Sequence, residues 1–271
     1  KYKFKKPNDT IELSFTEFLS RAADKEDKYF YYLQESLGQH VELSNDFKEW
    51  DWNYILNYVK TQKWGLPERN LLLVGTKEAT TPCHYDEQQN MYCQIGGTKE
   101  VILYSPASWD QMYTFPLGHP CDRQCMVNIK NPNLERCPRF AKAKGLRAVL
   151  QPGDMLYIPA MWFHYFRNLD HLATSLSFWC RQPSPDKVVF PLPDHTLVSV
   201  RRNMEMLIMK KLPSPVLMRA LCSNEENKDA ITREMSQLAL NVMKPDQVKI
   251  FVSLILSGRY DVPDKWIEEA V

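Results

Sequence analysis

The sequence predicts a mainly β domain with flanking helices, a sandwich, jelly roll or barrel followed by a helical C-terminal region. Three observations predict it. From about Asn70 to Cys180 the chain is written in short apolar runs rich in Val, Ile, Leu, Tyr, Phe and Trp, the pattern of strands rather than amphipathic helices. Gly, Pro and polar turn residues separate those runs, as expected where many short strands close on one another. After Pro193 the apolar spacing lengthens from strand-like to helix-like.

Each element has its own signal. SFTEFLSRAA, ending at Ala23, reads as a helix, because Ser14 can cap it and Glu17, three positions on, completes a capping box. KYFYYLQ (28–34) reads as a strand and WDWNYILNYVKTQ (50–62) as a helix. The strands of the β region are NLLLVG, NMYCQI, EVILYSP, RAVL, DMLYIP and ATSLSFW, with turns at GGTKE and QPGD. Further on, Leu197, Val200, Met204, Leu207 and Ile208 recur at helical spacing, with Arg201, Arg202 and Glu205 between them. PSPVLMRALC, DAITREMSQLALNVM and PDQVKIFVSLILSG extend the helical pattern; Pro213, Pro215 and Pro245 mark starts and Gly258 a C-cap. The division expected is a β domain at 1–193 and a helical region at 194–271.

Composition excludes several classes. With 271 residues, 44% of them hydrophobic, the chain can bury a sizeable core. Lys and Arg number 34 against 33 Asp and Glu, so no basic excess marks a nucleic-acid footprint. KYKFKK and MKK read as solvated faces. The longest apolar run, IFVSLIL, falls far short of the roughly 18 residues of a membrane span. No signal peptide is visible, although the chain starts at Lys1 and reads as truncated at its N-terminus. Seven cysteines without regular framing read as reduced thiols, which places the protein in the cytoplasm or nucleus. Cys121 and Cys125 after His119 are the one local zinc-like cluster, but structural zinc takes four ligands in tighter pairings.

The chemistry centres on TTPCHYDEQQN. If this stretch is extended, alternate side chains share a face, so His84 and Asp86 converge while Cys83 and Tyr85 point away. A polar turn that happens to contain a histidine would read the same. A metal needs a third ligand. His40 and His171 lie in polar loops, His119 precedes a proline and His195 is in the helical region. His164 follows a rigid unit, QPGDMLYIPAMWFH, in which a turn feeds a strand. With His84 and Asp86 it would make a two-histidine, one-carboxylate face, the set of non-haem Fe(II) oxygenases. The alternative is a hydrogen-bonded core histidine among Trp162, Phe163 and Tyr165.

In their order along the chain, TPCHYDEQQN, GGTKEVILYSP, HPCDRQ, QPGDMLYIP, WFH and FW resemble the JmjC-type 2-oxoglutarate oxygenases. Among these the likeness is greatest to the asparaginyl hydroxylase called factor inhibiting hypoxia-inducible factor. It covers roughly Tyr32 to Trp179; HYDEQQN and HPCDRQ are its most specific parts. The resemblance implies a double-stranded β-helix (the jelly roll of cupin and JmjC proteins) holding Fe(II) on His84, Asp86 and His164. It implies that Lys99 pairs with the far carboxylate of 2-oxoglutarate, a charge-assisted contact, that Thr81 and Tyr32 donate to it, and that Asn90 lies near the cosubstrate. Gln124 and Arg123 would hold a target amide, with Trp179 and Gln34 lining a peptide groove. The implied activity is a dioxygenase that uses O2 and 2-oxoglutarate to hydroxylate an asparagine or related side chain on a peptide or repeat protein. Other JmjC substrates, methyl-lysine on a histone or a modified tRNA nucleoside, stay open.

The sequence also departs from that pattern. Alternation in ATSLSFW puts Ser175, Ser177 and Trp179 on one face, and Ser177 stands where the family usually has an asparagine beside the cosubstrate. Phe163 replaces a tryptophan, and the stretch between His164 and Phe178 is two residues shorter. C-terminal helices make a homodimer in the resembled protein; the stripe from Leu197 to Ile208 suits that role, or packing on the chain's own core. The partners expected are a protein or peptide substrate and a second copy of the chain, with neither membrane nor nucleic acid.

Overall fold

The computed structural model describes residues 9–24, 26–39, 41–115, 117, 119–183, 191–211, 225–241 and 243–256. They form two compact units, one from 11–103 and 145–183, the other from 9–10, 104–144 and the helical residues beyond 190. Helix PSPVLMRALC, the Gly258 cap, His40 and Cys222 lie outside the described residues.

The first unit opens with α1 (Phe15–Ala23), and the capping box forms as expected. Ser14 Oγ accepts from the Glu17 amide at 3.2 Å and the Glu17 carboxylate accepts from the Ser14 amide at 2.9 Å. Phe18 and Ala22, one turn apart, are both buried, and Phe18 packs with Tyr31 and Val74. Strand β1 (Tyr32–Ser36) starts four residues later than KYFYYLQ suggests. The Asp27 carboxylate accepts from the Tyr29 amide in a local turn, and ladder pairing begins only where Tyr32 meets Gly75. Helix α2 (Val41–Lys48) has no fully buried residue and leaves little periodic signal, whereas α3 (Trp52–Thr61) is capped by Asp51 and buries Ile55 and Val59.

Nine strands follow from the described residues: β1, then β2 (Pro67–Thr76), β3 (Thr80–Tyr85), β4 (Gln89–Gly96), β5 (Lys99–Tyr104), β6 (Gly145–Leu150), β7 (Met155–Ile158), β8 (Phe163–Asn168) and β9 (Leu172–Cys180). They make two sheets, ordered β1-β2-β9-β4-β7 and β3-β8-β5-β6. Every strand run read from the sequence overlaps one of these strands. This is the cupin fold, mainly β with helices, as the sequence predicts.

The sheets are held face to face. Leu71, Leu73 and Tyr92 from the five-stranded sheet share a core with Val101, Leu103, Leu150 and Phe166 from the four-stranded one. On the outer face of the larger sheet, Met91, Leu176 and Phe178 pack beneath Ile55 and Val59 of α3 and Phe47 of α2. Period-two alternation therefore sends odd-numbered residues of β9 inward and Leu176 and Phe178 outward. At the β4–β5 turn Gly97 takes φ +63°, and a Cβ there would collide with the Leu172 carbonyl oxygen. Only glycine fits that close approach.

In the second unit, helices α4 (Asp194–Lys211), α5 (Glu225–Leu240) and α6 (Pro245–Leu256) bury Met204, Met235, Ala239, Val248, Phe251 and Val252 together. Leu197 and Val200 pack on that cluster, so much of the apolar stripe of α4 is covered by its neighbouring helices. The 104–144 segment has its own core of Tyr113, Phe115, Cys121, Val127 and Cys137. Arg201 of α4 is 1% exposed, with its guanidinium 4.8 Å from the Trp109 ring centroid and a hydrogen bond to Thr114 Oγ1. The six described cysteines are buried and unbridged. Among the described residues no helix is long and apolar enough to cross a membrane.

Candidate functional site

Strands β3 and β8 build the centre of the site. They are antiparallel, and their register sets His84 directly opposite His164. The two rings stand 4.2 Å apart between centroids. The ladder shifts between Thr81 and His84, an irregularity of the kind that re-aims side chains near functional sites. Asp86 lies just past the end of β3 and is 5% exposed. Its Oδ2 is 3.5 Å from His164 Nε2 and 3.7 Å from His84 Nε2.

The other nitrogen of each ring is anchored. His84 Nδ1 lies 2.9 Å from the Pro82 carbonyl oxygen and His164 Nδ1 lies 3.0 Å from that of Trp162. A carbonyl can only accept, so each Nδ1 carries the proton and each Nε2 presents a lone pair toward Asp86. Burial, reinforced by the neighbouring His84, pushes His164 below its ordinary value and keeps it neutral at pH 7. Burial would raise the Asp86 carboxyl, but when the imidazoles are protonated their charge and Nε2–H groups hold it well below the usual carboxylate range. One anionic oxygen and two imidazole lone pairs thus converge, all within 4.8 Å of one another.

That donor set fits a divalent transition metal. Ligand atoms about 2.1 Å from a shared ion sit roughly 3 to 3.5 Å apart, close to the 3.5 and 3.7 Å between Asp86 and the two imidazoles. Two histidines and one carboxylate are the facial set of non-haem Fe(II) sites, and the anchored Nδ1 atoms supply the outer support that metal-bound histidines usually have. Among the described residues no other group of three His, Cys, Asp or Glu side chains could hold an ion. The His119, Cys121 and Cys125 cluster is not such a group.

Lys99 begins β5, the strand beside β8. It is 1% exposed, and its Nζ donates to Tyr92 Oη at 2.8 Å and Ser175 Oγ at 2.9 Å. Among the described residues no carboxylate pairs with it; the adjacent Glu100 is held by Arg147 and Arg167 instead. Burial pushes the Lys99 ammonium down to about 7. Phe166 links the two sites, its ring 5.9 Å from that of His164 and 6.0 Å from Lys99 Nζ.

The remaining expected residues divide between the units. Burial raises the Tyr32 phenol, and the nearby Thr81 side chain partly offsets that rise. Ser177 Oγ donates to Asn90 Oδ1 at 2.8 Å, both buried, so these two groups hold each other. Trp179 stacks under the Arg69 guanidinium at 5.1 Å, and its buried Nε1 has no hydrogen-bond partner among the described residues. Gln34 pairs in register with Leu73, on the same face of β1 as Tyr32. Arg123, at φ +70°, and Gln124 lie in the second unit, where the Gln124 carbonyl accepts from Phe115. Sequence reasoning missed Tyr92, Ser175 and Gln94 as the company of Lys99. The only signal was alternation, which puts Tyr92 and Gln94 on the face of Asn90, and Ser175 on that of Ser177.

Similar proteins bear on this geometry. A "tRNA wybutosine-synthesizing protein 5" from Danio rerio is 31% identical over 191 residues, 64% of this chain and 54% of that protein. A "Lysine-specific demethylase 8" from Xenopus tropicalis is 37% identical over 105 residues, 39% of this chain and 23% of that protein. A "Jumonji C domain-containing protein 5" from Drosophila melanogaster is 36% identical over 111 residues, 39% of this chain and 26% of that protein. The chain thus spans about half, or less, of the length of these relatives. Residues 1–186 match the family described as "Cupin-like domain". The chain belongs to the cupin-like domain family.

Proposed function

We propose that the protein is an Fe(II)- and 2-oxoglutarate-dependent dioxygenase that hydroxylates a protein side chain, with asparagine as the first candidate. One observation carries this reading: a two-histidine, one-carboxylate cluster lies in the same β unit as a fully buried lysine surrounded by hydroxyls. The first would hold the metal. The second would hold the far carboxylate of the cosubstrate. The bound iron would supply oxygen activation coupled to decarboxylation of the 2-oxo acid.

The chain's own residues would orient and exclude water. His84, Asp86 and His164 would hold the ion. Lys99 gives a charge-assisted contact, and Thr81 and Tyr32 add hydroxyl donors. Asn90, fixed by Ser177 through its carbonyl oxygen, keeps its amide N–H groups available. Phe166, near both His164 and Lys99, packs with Leu71 and Val101 in one buried apolar cluster. Resemblance alone supports Gln124 and Arg123 as holders of a target amide, and Trp179 and Gln34 as groove residues.

A second reading, a modified tRNA nucleoside or methyl-lysine as substrate, is favoured by the relatives' names and by the extent of the wybutosine-protein match, 64% of the chain. One experiment separates them. The protein is incubated with Fe(II), 2-oxoglutarate and O2 beside an asparagine-peptide panel, methyl-lysine histone peptides and bulk tRNA. A peptide gaining the mass of one oxygen atom on asparagine supports the first reading. Formaldehyde release, or a hydroxylated nucleoside, supports the second. Failure of any substrate, and of 2-oxoglutarate alone, to give succinate would reject both.

A further inference from the structure

We infer that Tyr92 is a specificity-determining residue of the anion seat, its phenol donating to the far carboxylate of the 2-oxo acid alongside Lys99. The inference rests on the cosubstrate reading above and adds a residue to it.

The Lys99 ammonium has three N–H groups, of which Tyr92 Oη and Ser175 Oγ take two. Ser175 gives its own proton to Gln94 Oε1 at 2.8 Å, and Gln94 is held in turn through its amide by the carbonyls of Gly96 and Gly97 at 2.8 and 3.0 Å. Ser175 is therefore only an acceptor toward Lys99 and Tyr92. Tyr92 accepts from Lys99 and keeps one O–H to give. It is 3% exposed, and burial, with the nearby Tyr32 phenol, holds its proton on well above neutral pH. In this arrangement Ser175 Oγ is within its reach, and rotation about a single C–O bond redirects it.

Two donors thus stand side by side, the third ammonium N–H and the Tyr92 O–H. A carboxylate has two oxygens to receive them. The ring is held for the task, stacked on Phe166 at 4.5 Å between centroids with an interplanar angle of 19°. An apolar side chain would fill the same space between Leu71, Leu73 and Val101, so packing alone does not ask for a phenol here.

The test compares two acids on wild type and Tyr92→Phe, a change that keeps the stacked ring. Dissociation constants are measured by calorimetry on Mn(II)-loaded protein without oxygen, for 2-oxoglutarate and for 2-oxopentanoate, which has the same carbon chain but no far carboxylate. The expected result is about a 10-fold or greater weakening for 2-oxoglutarate with little change for 2-oxopentanoate. The ratio of the two constants within each protein is insensitive to the folded fraction. A ratio equal to that of wild type overturns the role of Tyr92 while leaving the cosubstrate reading intact. Wild-type protein that does not prefer 2-oxoglutarate over 2-oxopentanoate overturns both.

Discussion

His164 Nε2 faces Asp86 Oδ2 across 3.5 Å while its Nδ1 is tied to the Trp162 carbonyl at 3.0 Å, so the ring is locked with its lone pair toward the acid. His84 is locked in the same way through Pro82. His164→Ala should abolish metal binding, since a three-ligand face loses a third of its protein donors. Metal content after Mn(II) or Fe(II) loading checks this, with the exposed His171→Ala as a control that should still load.

Lys99 makes a pH-dependent contribution. Burial lowers it from its ordinary 10.5 to about 7. Between those values the unfolded chain binds a proton that the folded chain does not, so this residue's contribution to stability rises with pH through that window and is flat below it. Within the window the gain is up to about 1.4 kcal/mol for each step of one pH unit. Urea denaturation of wild type and Lys99→Met between pH 7 and 9 should show the wild type gaining relative to the variant. Binding of 2-oxoglutarate should run the other way, weakening above pH 7 as Lys99 must first take up a proton.

Ser177→Ala should leave Asn90 Oδ1 a buried acceptor without its donor, at about 1 to 3 kcal/mol. Chemical denaturation measures that loss. Cosubstrate affinity should fall with it, because the Asn90 amide is no longer held in one orientation.

Phe178 is fully buried and meets Phe47, Trp50 and Trp52 at 5.5, 5.6 and 5.6 Å between ring centroids. Phe178→Ala should cost about 3 to 5 kcal/mol and loosen α2 and α3 first. Hydrogen exchange should show lost protection in 41–61 before the strands respond.

Gly97→Ala places a Cβ against the Leu172 carbonyl at positive φ. The strain should cost upward of about 1 kcal/mol, read as a lower thermal midpoint. Because Gln94 is bonded to the Gly96 and Gly97 carbonyls, 2-oxoglutarate affinity should weaken too.

Much of the fold was legible in the sequence because its signals are local. The capping box at Ser14 and Glu17, the Gly-Gly turn before Lys99 and the alternation of ATSLSFW each depend on residues within a few positions. Period two was enough to place Ser175, Ser177 and Trp179 on one face, and to make His84 and Asp86 converge if extended. The late start of β1 was not legible, because a strand ends where its partner's ladder ends, and KYFYYLQ has the propensity to continue.

By itself, then, the sequence determined the β core, the helical change of period after Pro193 and the candidate ligands His84, Asp86 and His164. Tertiary structure alone decided that β3 and β8 pair in the register that faces one histidine with the other. It also decided that Lys99 is buried among Tyr92 and Ser175, and that α4 packs on α5 and α6. The physical reason is range. Propensity, capping and alternation act between near neighbours, whereas burial and strand register are set by residues distant in the chain, whose hydrogen bonds must all be satisfied together.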